Sequence, residues 1–280
     1  MKRRMLTGLW VWLLLAGGKG LLSQEINILF TNSANGVIQN CYCPDTHLGG
    51  MEKRTFFITE YKKQNPDALL IDNGDNFIEY LAPGFDKVIT ATMKLVEYDV
   101  INLGDQDVGY ATEEYLELEA LVQAPGQAVT VTKGSVSYSI LPLLHPGTTR
   151  FYPDFIFMDY EIEGYREQIE AWLKEESDRK SFKILLSHSG FEQDQELAAA
   201  YPKIDLIVGG HSQTVVDTPL IVAGVPIVQA GGYAGYVGEI HFSKNQSGYK
   251  VSSYQLHGLP PEAPDHPGVL KLIDQHVSNH

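Results

Sequence analysis

Four segments end strand-like apolar runs on a carboxylate or an imidazole: Leu70-Ile-Asp-Asn-Gly-Asp75, Ile101-Asn-Leu-Gly-Asp105, Leu185-Leu-Ser-His188 and Ile207-Val-Gly-Gly-His211. Loops beyond the carboxyl ends of strands form the ligand crevice of an α/β sheet, so the four endings are expected to converge on one site. Two Asp and two His together are a donor set for Zn, Mn or Fe, with coordination positions left over for water. The opposing reading gives each residue a local task. Strand-end Asp and His cap loops, and Asp75 taken alone is a helix N-cap.

A second group with chemical potential is Asn40-Cys-Tyr-Cys-Pro44, which holds both cysteines of the chain, Cys41 and Cys43. A disulfide between them would close a very short, strained ring and remove little chain entropy, so a structural staple is a poor explanation. Three readings stay open. The pair are soft ligands for a second metal, a redox or nucleophilic pair, or inert. His47 in the same loop is read as a surface histidine.

The elements that must carry these residues alternate. Strands are predicted at 25–31, 67–72, 100–103, 182–187 and 204–208, and helices at 54–63, 85–98, 113–123, 165–178, 193–201 and 269–277. Near-continuous apolar strands of this kind are buried on both faces of a mostly parallel sheet. Residues 128–144 read as a hairpin turned at Lys133-Gly134, and the Gly-separated β segments of 214–257 as a second sheet of mixed or antiparallel strands. The class is α/β, with 25–280 as one domain.

Lys2-Arg3-Arg4 precede an apolar stretch over 5–16, which reads as a secretory signal peptide over 1–24 with cleavage near Ser23. The stretch is shorter than the roughly 20 residues that span a bilayer, so no membrane span is expected in the mature chain, and the protein is predicted to be periplasmic or secreted. The formal net charge of -14 disfavours a nucleic-acid polymer as partner, while a bound cation could still recruit a small anionic substrate. No protein partner is assigned.

The order of motifs resembles the calcineurin-like metallophosphoesterases, and within them the 5'-nucleotidase branch. The resemblance rests on Ile28-Leu-Phe-Thr-Asn32 with Gly36, Gly49-Gly50 with Arg54, Asp72-Asn-Gly-Asp-Asn-Phe77, Asp99-Val-Ile-Asn-Leu-Gly104, Ser187-His-Ser-Gly190 and Asp205-Leu-Ile-Val-Gly-Gly-His-Ser212, followed by a Gly-rich run at 231–238. It implies a four-layer αββα sandwich. It also implies two divalent metals that clamp a phosphoryl group and activate water, and a His-Asp pair that protonates the leaving group.

Only part of that apparatus is carried here. The family's Asp-x-His reads Ser33-Ala34-Asn35, and the second His of its Gly-His-x-His reads Gln213, so Ser33, Asn35 and Gln213 are degenerate ligand positions. Asp75 matches the bridging carboxylate. Asp105, Gln106 and Asp107 occupy the catalytic motif: Asp105 replaces a metal-binding amide, Gln106 the leaving-group His, and Gly109 the Asp that orients it. The catalytic residues are therefore unassigned. The resemblance implies one divalent metal (Zn, Mn or Fe) on Asp75, Asp105, His188 and His211, with a second only if Cys41 and Cys43 are ligands.

The function expected from this is a secreted or periplasmic 5'-nucleotidase-like hydrolase of phosphate esters or related small esters, with an altered active site. The alternative is a catalytically inactive metal-binding or Cys-x-Cys redox module on the same scaffold. A base-gripping second domain has no matching motif, so nucleotide specificity is not implied. Tyr233 and Tyr236 are read as packing residues.

Overall fold

Residues of alternating direction along each strand decide the architecture, because both faces of every central strand are apolar. In the first strand Ile26, Ile28 and Phe30 point one way and Leu29 the other, and all four are buried. Such strands need cover on both sides. The computed structural model, which describes residues 25–40, 48–118, 122–150, 152–157, 162, 164–176, 180–245 and 248–277, supplies it with a second sheet on one side and helices on the other.

The chain runs β1 (Glu25–Thr31), α1 (Met51–Gln64), β2 (Leu69–Asp72), α2 (Phe85–Val96), β3 (Val100–Asn102), α3 (Asp105–Tyr110), α4 (Glu113–Leu116), β4 (Val122–Gln123), β5 (Val129–Lys133) and β6 (Val136–Leu144). It continues through α5 (Pro146–Thr149), a 3-10 turn at Asp154–Phe157, α6 (Tyr165–Glu175), β7 (Phe182–His188), α7 (Phe191–Ala200) and β8 (Leu206–Gly209). It finishes with β9 (Leu220–Val222), β10 (Val225–Val228), β11 (Tyr236–Asn245), β12 (Gly248–Gly258) and α8 (Pro267–His276).

One sheet has the order β12-β11-β1-β2-β3-β4 and the other β5-β6-β7-β8-β10-β9. Strands β1 to β4 are mutually parallel, as are β6, β7, β8 and β10. Between the sheets lie Ile28, Phe30, Ile71, Ile184, Leu186 and Val208 among others. Outside the first sheet Leu29, Leu70 and Ile101 meet Ile58, Ile89, Met93 and Val269 from α1, α2 and α8. Outside the second, Leu185 and Ile207 meet Ile169, Trp172 and Leu197 from α6 and α7. This is the expected four-layer αββα sandwich, and the parallel strands of both sheets end on the same edge.

Two expectations are corrected. The helix predicted over 113–123 is a single turn, α4, started by the Thr112 hydroxyl accepting from Tyr115 N–H at 3.4 Å; Val122 then pairs with Ile101 as an edge strand. Glu117 at the end of that turn opposes the helix dipole, and a partner strand for β3 is the stronger demand. The segments of 214–257 do not make a sheet of their own either. β10 extends the second sheet beside β8, whereas the β11–β12 hairpin joins β1 in the first, so the Gly-rich run at 231–238 is where the chain crosses between sheets.

Gly238 shows how tight that seam is. It pairs with Phe30 across the strands, and a Cβ at 238 would lie 2.0 Å from the Phe30 ring. Gly238→Ala is expected to lower stability by about 1–3 kcal/mol through overpacking. Urea denaturation with an unchanged m-value would measure it.

Candidate metal centre

All four strand endings lie at the shared carboxyl edge. Asp75 follows β2 by three residues, Asp105 opens α3 just after β3, His188 ends β7, and His211 follows β8 by two residues. One ligand atom from each lies within 4.8 Å of those of the other three. His188 Nε2 is 3.2 Å from Asp75 Oδ2 and 3.1 Å from Asp105 Oδ1, and His211 Nδ1 is 2.9 Å from the same Asp105 oxygen. Asp75, Asp105 and His188 are buried, and only His211 is partly open to solvent.

The chemistry of this donor set fits a metal ion. His188 Nδ1 lies 2.8 Å from the Asn73 carbonyl oxygen, which can only accept, so Nδ1 carries a proton. In the neutral imidazole Nε2 is then a lone pair aimed at two carboxylate oxygens. Three acceptors on one point need something between them, and a shared proton or a metal ion supplies it. Burial alone would lower the His188 pKa; the Asp75 and Asp105 carboxylates outweigh it and raise it well above the usual histidine value. Burial would likewise raise Asp105, and His188 and His211 instead hold its carboxyl well below the usual range.

The backbone is shaped for this cluster. A Cβ on residue 104 would fall 2.1 Å from Asp75 Oδ1, and one on residue 210 would fall 2.7 Å from His188 Nδ1, so glycine is required at both. Asp75 sits in the left-handed region at φ 57 rather than at a helix start, which corrects the N-cap reading. It is held there by Asp107, whose Oδ2 accepts from the N–H of Asp75 at 2.7 Å and of Gly104 at 3.1 Å. Asp107 Oδ1 accepts from Asn76 N–H at 2.8 Å and Phe77 N–H at 3.1 Å. Asp107 is thus a buried backbone staple. Asp75 Oδ1 accepts the Gln106 backbone N–H at 3.1 Å, leaving Oδ2 toward His188. Tyr152 donates its hydroxyl to Asp105 Oδ2 at 2.8 Å.

Ser33, Asn35 and Gln213 stand outside the one Asp/His cluster found among the described residues. Gln106 Nε2 donates to Asn35 Oδ1 at 3.2 Å, Ser33 Oγ accepts from Asn32 Nδ2 at 3.2 Å, and the Gln213 side chain packs against Gly232. Ser33, Asn35 and Gln213 keep left-handed backbones at φ 46, 49 and 53. Cys41, Cys43 and His47 fall outside the described residues. Tyr236 packs over Gly231 in the inter-sheet core as expected, but Tyr233 is half-exposed and lines a cleft of about 400 Å³ with Ile38, Leu48 and Phe85.

Sequence reasoning missed the residues that lock the two sheets together under the site. Asn73 Nδ2 donates to the carbonyls of Ser187 at 2.7 Å and Val208 at 2.9 Å. Asn102 Nδ2 reaches Asn73 Oδ1 at 2.8 Å, Leu186 O at 3.0 Å and Leu143 O at 3.2 Å. The available signal was an amide inside an apolar strand, Val100-Ile-Asn-Leu103, where burial is costly without partners. Tyr152 had no comparable signal.

The family model for calcineurin-like phosphoesterases matches residues 42–214. Human 5'-nucleotidase is 25% identical over 292 residues, which cover 84% of this chain and 49% of that protein. A snake venom 5'-nucleotidase from Gloydius brevicauda is 24% identical, covering 87% and 49%. The chain therefore spans about half the length of these relatives. Among solved structures, a 5'-nucleotidase precursor from Thermus thermophilus superposes with a TM-score of 0.71 at 18% identity, covering 89% of this chain and 57% of that one. The calcineurin-like phosphoesterase YfkN from Bacillus subtilis gives 0.69 at 17%, covering 91% and 97%. The structural likenesses speak to the fold.

Asn73→Ala would remove the side-chain donor to the buried Ser187 and Val208 carbonyls, while the Asn102 amide keeps its bonds to Leu143 and Leu186. At about 1–3 kcal/mol for an unsatisfied buried group, a loss of at least about 2 kcal/mol in folding free energy is expected. Denaturant titration of the metal-free protein would test it.

Proposed function

The chain belongs to the calcineurin-like phosphoesterase family, in its 5'-nucleotidase branch, and from that premise we propose that it binds one divalent cation (Zn, Mn or Fe) through Asp75, Asp105, His188 and His211 and hydrolyses small phosphate esters or related esters there. The observation that carries the proposal is the convergence of His188 Nε2 and two carboxylate oxygens at 3.1–3.2 Å, with Nδ1 already committed to Asn73. When bound, the cation supplies Lewis-acid polarisation of an ester oxygen and a more acidic water.

The protein's own groups set what such a site can accept. Asp75 and Asp105 together offset the charge of one divalent cation, which leaves little positive field for a dianionic phosphomonoester. A monoanionic diester suits the centre better. Gln106 has no acidic proton, so a leaving group departs without general-acid help from that position. Esters of acidic alcohols, such as aryl diesters, are the substrates this arrangement favours. His211 stands on the solvent side and borders the approach, while Asp75, Asp105 and His188 are shielded from water.

A second reading is favoured by the Gln106–Asn35 amide pair, which fills the leaving-group position with neutral hydrogen-bonding groups. On that reading the protein binds metal without turnover. Residues 1–24 we read as a secretory leader, supported by Lys2-Arg3-Arg4 ahead of an apolar run. Among the described residues no helix is long and apolar enough to cross a membrane.

Elemental analysis of protein purified from its own compartment is expected to give one equivalent of metal, with His188→Ala and His211→Ala each reducing affinity by about 100-fold or more, since even outer partners of a ligand cost 10–100-fold. A second equivalent lost in Cys41→Ser would bring the cysteine pair into the site. In a panel of aryl and alkyl esters with added Mn, Zn and Fe, aryl diesters should be turned over fastest and Asp75→Ala should abolish the reaction. Stoichiometric metal with no turnover would establish the binding module; metal below about a tenth of an equivalent would overturn both readings.

A further inference from the structure

We propose that Tyr152 is a positioning residue for the metal centre: its hydroxyl occupies one oxygen of Asp105 and so commits the other to the cation. The inference rests on the metal-binding reading above and goes beyond the four ligands. Nothing in the motifs that carry the family resemblance includes Tyr152.

The geometry is divided cleanly between the two oxygens of Asp105. Oδ1 faces His188 Nε2 at 3.1 Å and His211 Nδ1 at 2.9 Å, inside the ligand cluster. Oδ2 receives the Tyr152 hydroxyl at 2.8 Å, with the phenol as donor because a carboxylate only accepts. A free carboxylate can swing and grip a cation with one oxygen or with both. The Tyr152 hydroxyl takes up one lone pair of Oδ2 and so biases Asp105 toward the first mode. The result is one defined donor and a coordination position left for water or substrate.

The phenol is itself held by packing rather than by a flexible reach. The Tyr152 ring stands edge-on to Phe157 with centroids 5.4 Å apart and lies 6.0 Å from Tyr110. It borders the cluster of Leu144, Phe157 and Ile162, and its backbone N–H donates to Thr149 O at 3.0 Å. Gly109 gives the ring ease, since a Cβ there would be a tight 3.2 Å from Tyr152 Cε1 and would push the ring by a few tenths of an ångström. The small residue at 109 and the carboxylate at 105 therefore belong to one arrangement. Gly109 opens the space, Tyr152 fills it, and Asp105 provides an oxygen for the hydroxyl to hold.

The test compares wild-type protein and Tyr152→Phe, both stripped of metal and titrated with Co²⁺ and Zn²⁺ by calorimetry, with the visible spectrum of the Co²⁺ form recorded for each. Tyr152→Phe removes only the hydroxyl. It is expected to weaken metal binding by about 10-fold or more and to change the intensity of the Co²⁺ bands, because Asp105 can then engage with both oxygens. A role confined to packing would move the thermal midpoint of the metal-free protein and leave the spectrum alone. Wild-type protein that takes up one equivalent, with Tyr152→Phe matching it within twofold in Kd and superimposable in spectrum, overturns the assignment to Tyr152 alone. Wild-type protein that takes up no metal overturns the centre and the inference with it. Should Tyr152→Phe fail to fold, Gly109→Ala provides the reading by shifting the ring instead; a weaker affinity with altered bands supports the role, and wild-type values for both reject it.

Discussion

The Nδ1 proton of His188 goes to the Asn73 carbonyl, and most of the site follows from that single hydrogen bond. It fixes the tautomer, aims Nε2 at Asp75 and Asp105, and gathers two imidazoles and two carboxylates into one group that could hold a metal ion. It also crosses between the sheets, since Asn73 follows β2 and His188 ends β7. The Asn73 side chain makes the same crossing to Ser187 and Val208, and Asn102 repeats it from β3 to Leu143 and Leu186. Apolar packing between the sheets is not directional and could tolerate a slide of one over the other. The amide bonds to strand-end carbonyls cannot. They set the relative position of the two carboxyl edges, and with it the distance between carboxylates on one sheet and imidazoles on the other.

Much of this was legible in the sequence because strand ends are legible. Apolar runs locate β2, β3, β7 and β8, and an Asp or His just past each has nowhere to project except the common edge. The sandwich came with the motif order. What stayed hidden depends on geometry across elements. Asp107 lies in the first turn of α3, yet its partners include Asn76 and Phe77, 31 and 30 positions away in sequence. Tyr152 sits in a loop with no period, and only the folded chain shows its hydroxyl on Asp105. The short strand β4 carries only Val122 and Gln123, too few residues to outweigh the helical look of the acidic stretch before it.

The loop after β1 has its own physical logic. Non-glycine residues in the left-handed region cost of order 1–3 kcal/mol each, and Ser33 and Asn35 both stand there. Their backbones explain the persistence. Ser33 N–H donates to Gly74 O at 2.7 Å, Asn35 N–H to Asp75 O at 2.9 Å, and Gly36 N–H to Asn76 O at 3.0 Å. The loop after β1 thus runs alongside the loop after β2 and satisfies three successive carbonyls around Asp75, while Asp107 satisfies the N–H groups on the other side. Asp75 is clamped from both directions. The left-handed backbones at 33 and 35 are therefore tied to the loop that carries Asp75, through main-chain bonds that do not depend on which side chains stand there.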